Sequence, residues 1–207
     1  IDVAANKFTD SAGNNNSASS QFNWSFDNIA PTITITAKNS VGNVIADGAT
    51  TNNDSLLITF TLSEAASNFA LSDISVSGGQ LSSFTSNSST VYSGVFKPSS
   101  AGETTIDVAA NKFTDSAGNN NSASSQFNWS FDNIAPSIST VALLSDNSAV
   151  EVQLSESAFS QNNGSGELAT SDFQFSMVGG TASLSSTAPS ALTKNGNIYT
   201  CLLYTSP

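Results

Sequence analysis

Seven carboxylates stand out by type and spacing: Asp27, Glu64, Asp73 and Asp115, then Asp132, Glu156 and Asp172. The chain carries 16 acidic residues against 5 basic ones, so little cationic charge offsets them. Carboxylates crowded together repel one another. A hard divalent cation such as Ca2+, which takes about six to eight oxygen ligands, resolves that repulsion. Cation binding is therefore the chemistry these residues could do. The same residues also have a purely local reading. Asp115-Ser116-Ala117-Gly118-Asn119 suits an Asx turn, and Glu64 or Asp73 can cap loop amides.

Little else in the chain suggests chemistry. All five basic residues are Lys, with no Arg and no His. The commonest general base and the commonest imidazole ligand are thus missing. The one cysteine, Cys201, can form neither an internal disulfide nor a thiolate zinc site. A net charge of −11 leaves no cationic footprint for nucleic acid. No apolar run approaches the roughly 18 residues of a membrane span, and no signal peptide opens the chain. No base stands beside a nucleophile, so an enzyme is not expected, and Ca2+ is the one cofactor in prospect.

The elements that would position the acids follow from a repeat. Residues 1–31, IDVAANKFTDSAGNNNSASSQFNWSFDNIAP, recur letter for letter at 106–136. A period of this length suits one small domain and is too long for a solenoid turn. The expected organisation is the tail of one unit at 1–27, holding its last two strands, a whole unit at 28–132, and the first part of a diverged unit at 133–207, holding its first five strands. The third keeps landmarks of the second: Leu62-Ser63-Glu64 returns as Leu154-Ser155-Glu156, Ser72-Asp73 as Ser171-Asp172, and Gly78-Gly79 as Gly179-Gly180. It inserts the loop Gln161-Asn162-Asn163-Gly164-Ser165-Gly166. The last residues, 201–207 (CLLYTSP), break the Ser/Thr/Asn texture that makes up 83 of 207 residues. They resemble a translated sequencing-adapter tail; a buried strand cysteine is the other reading.

Within 28–132, seven short runs alternate apolar and polar residues. They are Thr32–Thr36, Ser55–Leu62, Ile74–Val76, the run holding Leu81 and Phe84, Tyr92–Phe96, Ile106–Val108 and Phe127–Phe131. Period-two alternation marks strands with one buried face, and the Asn, Gly, Asp and Ser clusters between them mark turns. The fold class is all-β: tandem immunoglobulin-like antiparallel sandwiches of about seven strands each. Chain direction reverses at each strand, so the incoming linker and the loops after the second, fourth and sixth strands share one end. That parity groups Asp27, Glu64, Asp73 and Asp115 at one joint between units, and Asp132, Glu156 and Asp172 at the next.

DNIAPTITI, FTLSEAASNFALSDISVSGGQL, VYSGVFKPSSAG and IDVAANKFTDSAGN together resemble the bacterial Ig-like repeats of large surface and adhesin-type proteins. The resemblance covers 28–132 fully and 133–207 more loosely. It implies a spacer or stalk module of an extracellular or cell-surface protein, of the kind found in adhesins and biofilm proteins, with Ca2+ stiffening the joints in some relatives. The partners it implies are neighbouring repeats of the same chain, with any surface or glycan ligand lying distally. Two other functions remain open: a glycan- or partner-binding module, and an accessory domain of a secreted enzyme. Trp24 and Trp129 alternate with Phe and are expected in cores rather than as sugar platforms. Thr32–Thr36 is expected as an ordinary half-buried strand rather than an ice-binding rung.

Overall fold

A computed structural model describes residues 1–161, 164–179 and 186–203. Asn162 and Asn163 of the inserted loop, Gly180 of the second Gly-Gly pair, and 204–207 of the tail lie outside the described residues. Among the described residues the regular secondary structure is all strand apart from two single 3₁₀ turns, at Leu71–Asp73 and Thr170–Asp172. The chain divides into two compact units, 1–133 and 134–207. Among the described residues no helix is long and apolar enough to cross a membrane.

In the first unit the seven expected strands form, and two short ones join them. They are β1 (Ile33–Lys38), β2 (Val44–Ile45), β3 (Ala49–Thr51), β4 (Leu56–Leu62), β5 (Ile74–Ser77), β6 (Gly79–Ser86), β7 (Val91–Pro98), β8 (Gly102–Val108) and β9 (Phe127–Phe131). One sheet has the order β2-β1-β4-β7-β6 and the other β3-β9-β8-β5. This is the two-sheet partition of an immunoglobulin-like sandwich, with a Greek-key path between the layers. β2 and β3 are too short to show a period in sequence. β3 pairs with β9 in parallel, Ala49 opposite Trp129, whereas the other pairs of this unit are antiparallel.

The alternation sorts side chains as its period requires. In β1, Ile33, Ile35 and Ala37 point inward while Thr34, Thr36 and Lys38 face solvent. In β4, Leu56, Ile58, Phe60 and Leu62 point inward. The second sheet answers with Ile106, Val108, Phe127 and Trp129, all in one core with the first. Phe96 meets Trp129 edge-on, with ring centroids 4.7 Å apart. Leu81 and Phe84 lie three apart, which breaks strict alternation. A bulge between Ser82 and Thr85, with Ser83 at φ 51°, resets the parity so that both reach the core.

The two strands expected in residues 1–27 do not form, and residues 1–26 join no ladder of either sheet. They nevertheless hold the loop conformation of their duplicate. Asn6 and Asn111 both adopt left-handed φ, 61° and 62°, and the bridge Thr9↔Asn15 matches Thr114↔Asn120.

The second unit contains β10 (Ile138–Leu143), β11 (Ala149–Leu154), β12 (Ala191–Asn195) and β13 (Ile198–Leu202) in one sheet ordered β10-β11-β13-β12. This repeats β1-β4-β7-β6 of the first unit. Val152 opposite Tyr199 takes the place of Phe60 opposite Tyr92. The reciprocal pair between Thr32 and Ser63 returns between Ser137 and Ser155. Of the five strands expected here, four form among the described residues. Residues 173–178, in the place of β5, form no strand. β5 is held by β8, and among the described residues the second unit has no counterpart of β8 to supply a ladder. Cys201 sits fully buried in β13 opposite Val150, and burial pushes its thiol pKa up.

Candidate metal centre

The pole of the first unit where the linker arrives is built by three segments. Linker residues 27–32 lead into β1, residues 63–73 connect β4 to β5, and residues 109–126 connect β8 to β9. Backbone bonds stitch them together. Ser63 N–H donates to the Thr32 carbonyl at 3.0 Å, Ser122 N–H to the Pro31 carbonyl at 3.0 Å, and Ser67 N–H to the Thr114 carbonyl at 2.9 Å. Beneath them Phe69 and Phe113, 5.0 Å apart between ring centroids, seal the core. Neither ring belongs to a strand, so the alternation did not reveal them.

The long loop is organised by two asparagines. Buried Asn121 accepts from the N–H groups of Lys112 (2.7 Å) and Phe113 (3.0 Å) through Oδ1, and donates through Nδ2 to the carbonyls of Ala109 (2.9 Å) and Ser122 (2.8 Å). Asn119 donates its N–H to Asp115 Oδ1 and its Nδ2 to Asp115 Oδ2, both at 2.8 Å, and the same Nδ2 reaches the Asp27 carbonyl at 3.2 Å. The Asx-turn reading of Asp115 is therefore correct as local geometry. It also aims the carboxylate at the linker.

Asp27, Glu64 and Asp115 come together here, each offering a carboxylate oxygen within 4.8 Å of the others. Among the described residues this is the one acidic group with such spacing. Asp27 is exposed, Glu64 half-buried and Asp115 buried. Burial raises the Glu64 pKa, and the charges of Asp115 and Asp27 raise it further. Burial also acts to raise Asp115, but the bonds it accepts from Asn119 and from the loop amides outweigh this and leave it below the ordinary aspartate value. Asp27 Oδ1 also accepts from Ile29 N–H at 3.0 Å, a local turn within the linker.

Asp73 does not join them. Its Oδ2 accepts from Ala70 N–H at 2.9 Å and closes the 3₁₀ turn before β5. Asp172 does the same for Ala169 N–H at 2.8 Å. Loop closure, the local reading open to Asp73, is what the geometry gives it, and Asp172 shares it. Asp132 leaves β9 with its N–H on the Thr51 carbonyl at 3.0 Å. Glu156 is half-buried just beyond β11.

Three hard oxygen donors and no softer atom make a donor set that fits Ca2+ rather than a thiophilic metal. The carboxylates would supply three of its ligands, with loop carbonyls and water supplying the rest.

A family model described as a bacterial Ig-like domain matches residues 27–131. No curated protein and no solved structure matches the chain.

Proposed function

Because the chain belongs to the bacterial Ig-like domain family, we propose that it is a structural spacer of a bacterial surface or secreted adhesin-type protein, with Ca2+ stiffening the joint that precedes each sandwich. Its task is to set distance and direction between other parts of its parent. The letter-for-letter duplication suits a module whose value lies in being repeated. The family, the acidic surface and the Ser/Thr/Asn-rich strands suit an extracellular setting, and the reading assigns no catalysis.

The observation that carries the calcium part is the spacing of Asp27, Glu64 and Asp115. One carboxylate comes from the linker and two from the sandwich that follows it. An ion held by all three would tie linker to domain. Pro31, buried at the same place, already limits the linker because proline fixes its own φ and restricts the residue before it.

The test is thermal unfolding followed by fluorescence of Trp129, which lies in the core of the first unit. An extracellular-type site with a dissociation constant of about 0.1–1 mM, filled at about 10 mM Ca2+, raises Tm by roughly 5–20 °C over the chelated protein. Glu64→Gln acts in opposite senses on the two arms. A carboxyl whose folded pKa is raised favours folding only while protonated, and that advantage is lost as pH rises through the raised value. At neutral pH without Ca2+ the variant is therefore more stable than the parent, and its response to Ca2+ is lost. Equal melting with Ca2+ and with chelator in the parent would remove the ion from the account and leave the spacer reading on the linker alone.

A further inference from the structure

The chain holds two Asn-Gly steps, at Asn163 and at Asn195, and one Asp-Gly step, at Asp47. Asn163 lies outside the described residues. Such steps can rearrange without an enzyme. The backbone nitrogen of the following residue attacks the side-chain Cγ, and glycine, having no Cβ, leaves that approach open. The outcome depends on what the fold does with the two reacting groups.

At Asp47-Gly48 the fold holds both. Asp47 Oδ1 accepts from Asn128 N–H, and Gly48 N–H donates to the Asn128 carbonyl, each at 2.8 Å. The tip of the β6–β7 hairpin in the first unit holds Asn87 in the same manner. Asn87 Nδ2 donates to Ser93 Oγ at 2.9 Å, and Ser88 N–H donates to the Val91 carbonyl at 3.0 Å.

The matching tip of the second unit, between β12 and β13, is tighter and holds neither group. Asn195 pairs with Ile198, so Gly196 and Asn197 alone make the turn. Gly196 takes φ 59°, the left-handed value that a two-residue hairpin turn demands. The turn dictates the glycine, and the glycine follows an asparagine. Asn195 and Gly196 are exposed, as are Asn87, Ser88 and Ser89 at the tip in the complete first unit. Among the described residues neither the Asn195 side chain nor the Gly196 N–H has a hydrogen-bond partner. Asn195 and Ile198 form the last rung of their ladder, where pairs open most readily.

We propose that Asn195 is a site of spontaneous deamidation. Gly196 N forms a bond to Asn195 Cγ, the Cγ–Nδ2 bond breaks, and Nδ2 leaves as ammonia with the proton of the Gly196 amide. Water then opens the succinimide ring, at Cγ to give aspartate or at the main-chain carbonyl carbon to give isoaspartate. Either product exchanges NH2 for OH and carries a new negative charge. Isoaspartate also lengthens the main chain by an atom, which a two-residue turn absorbs only by giving up the rung between Asn195 and Ile198. Asn197 ties this turn to the segment after β11: its carbonyl accepts from Leu154 N–H at 2.9 Å and its Oδ1 from Ser157 Oγ at 3.1 Å. The new charge therefore arrives beside a segment that already carries Glu156. This inference rests on neither calcium nor the spacer reading.

Incubation of the whole chain in warm, mildly alkaline buffer tests it, read by peptide mass spectrometry and by methyl transfer from an isoaspartyl methyltransferase. The Asn195 peptide is expected to convert to products heavier by the difference between NH2 and OH, and to accept methyl groups. The peptides holding Asn87 and Asp47 are expected to do neither until the chain is unfolded in urea. Asn195→Gln, whose longer side chain would have to close a larger ring, is expected to abolish the product at this position and to leave Trp129 fluorescence unchanged. An Asn195 peptide that converts only in urea overturns the proposal, because the hairpin then protects the step. Conversion of Asn87 at an equal rate in the folded chain overturns it too, because the hydrogen bonds would then decide nothing.

Discussion

Asn121 shows how much one side chain can organise. Its amide spans the base of an 18-residue loop, satisfying two N–H groups and two carbonyls in a place closed to water. Asn16 makes the same four bonds within residues 4–17, where no sheet supports it. The loop is thus encoded locally, and the sandwich receives it ready-made. Asn121→Ala is expected to destabilise the first unit by about 2–4 kcal/mol, because buried partners lose their bonds. Asn16→Ala, in an exposed copy of the loop, is expected to leave that transition where it was. Urea titrations of both variants, read by Trp129 fluorescence, check the contrast. At this scale the sequence was only half legible. The carboxylates were visible as charges and the turn as a motif. Nothing in the order of letters distinguished Asp115, which faces Glu64, from Asp73, which folds back on Ala70 N–H. That difference is a side-chain direction, set by loops whose path depends on the packing of Phe69 and Phe113.

The strands were the most legible elements, because one buried face imposes a period that sequence records directly. β1 and β4 follow it residue by residue. Legibility failed where the period was too short to exist, at β2 and β3, and where a neighbour was required, at residues 173–178. Gly78 and Gly79 mark a third kind of place, where the chain crosses from one sheet to the other between β5 and β6. Gly78 takes φ +73°, and a Cβ on Gly79 would collide with the Lys97 carbonyl and the Phe96 ring. Backbone stands on one side and a core aromatic on the other, so neither can yield cheaply. Gly79→Ala is expected to cost about 3 kcal/mol or more through overpacking, seen as a lower urea midpoint with an unchanged slope.

At the largest scale the chain is two compact units. The first closes a core between two sheets, while the second has one sheet among its described residues. Less apolar area is covered there, and covered area is the main source of stability. Heating a dilute sample is expected to give two steps in far-ultraviolet circular dichroism, with Trp129 fluorescence following only the later one. A single step shared by both signals would show that the units fold as one.

The parallel pairing of β3 with β9 has a mechanical meaning. In the tandem array proposed above, tension would enter the first unit through the linker before β1, meet first the pairing of β1 with β4, and leave beyond β9. Once β1 and β2 have come away, it would drag β3 toward its start and β9 toward its end. Parallel neighbours pulled this way slide along each other, so the bonds between Ala49–Thr51 and Trp129–Phe131 carry the load together. A hairpin pulled from its open end would surrender its rungs singly, like a zip. The shortest strand pair of the second sheet would thus act as a second clasp, loaded after β1 lets go of β4.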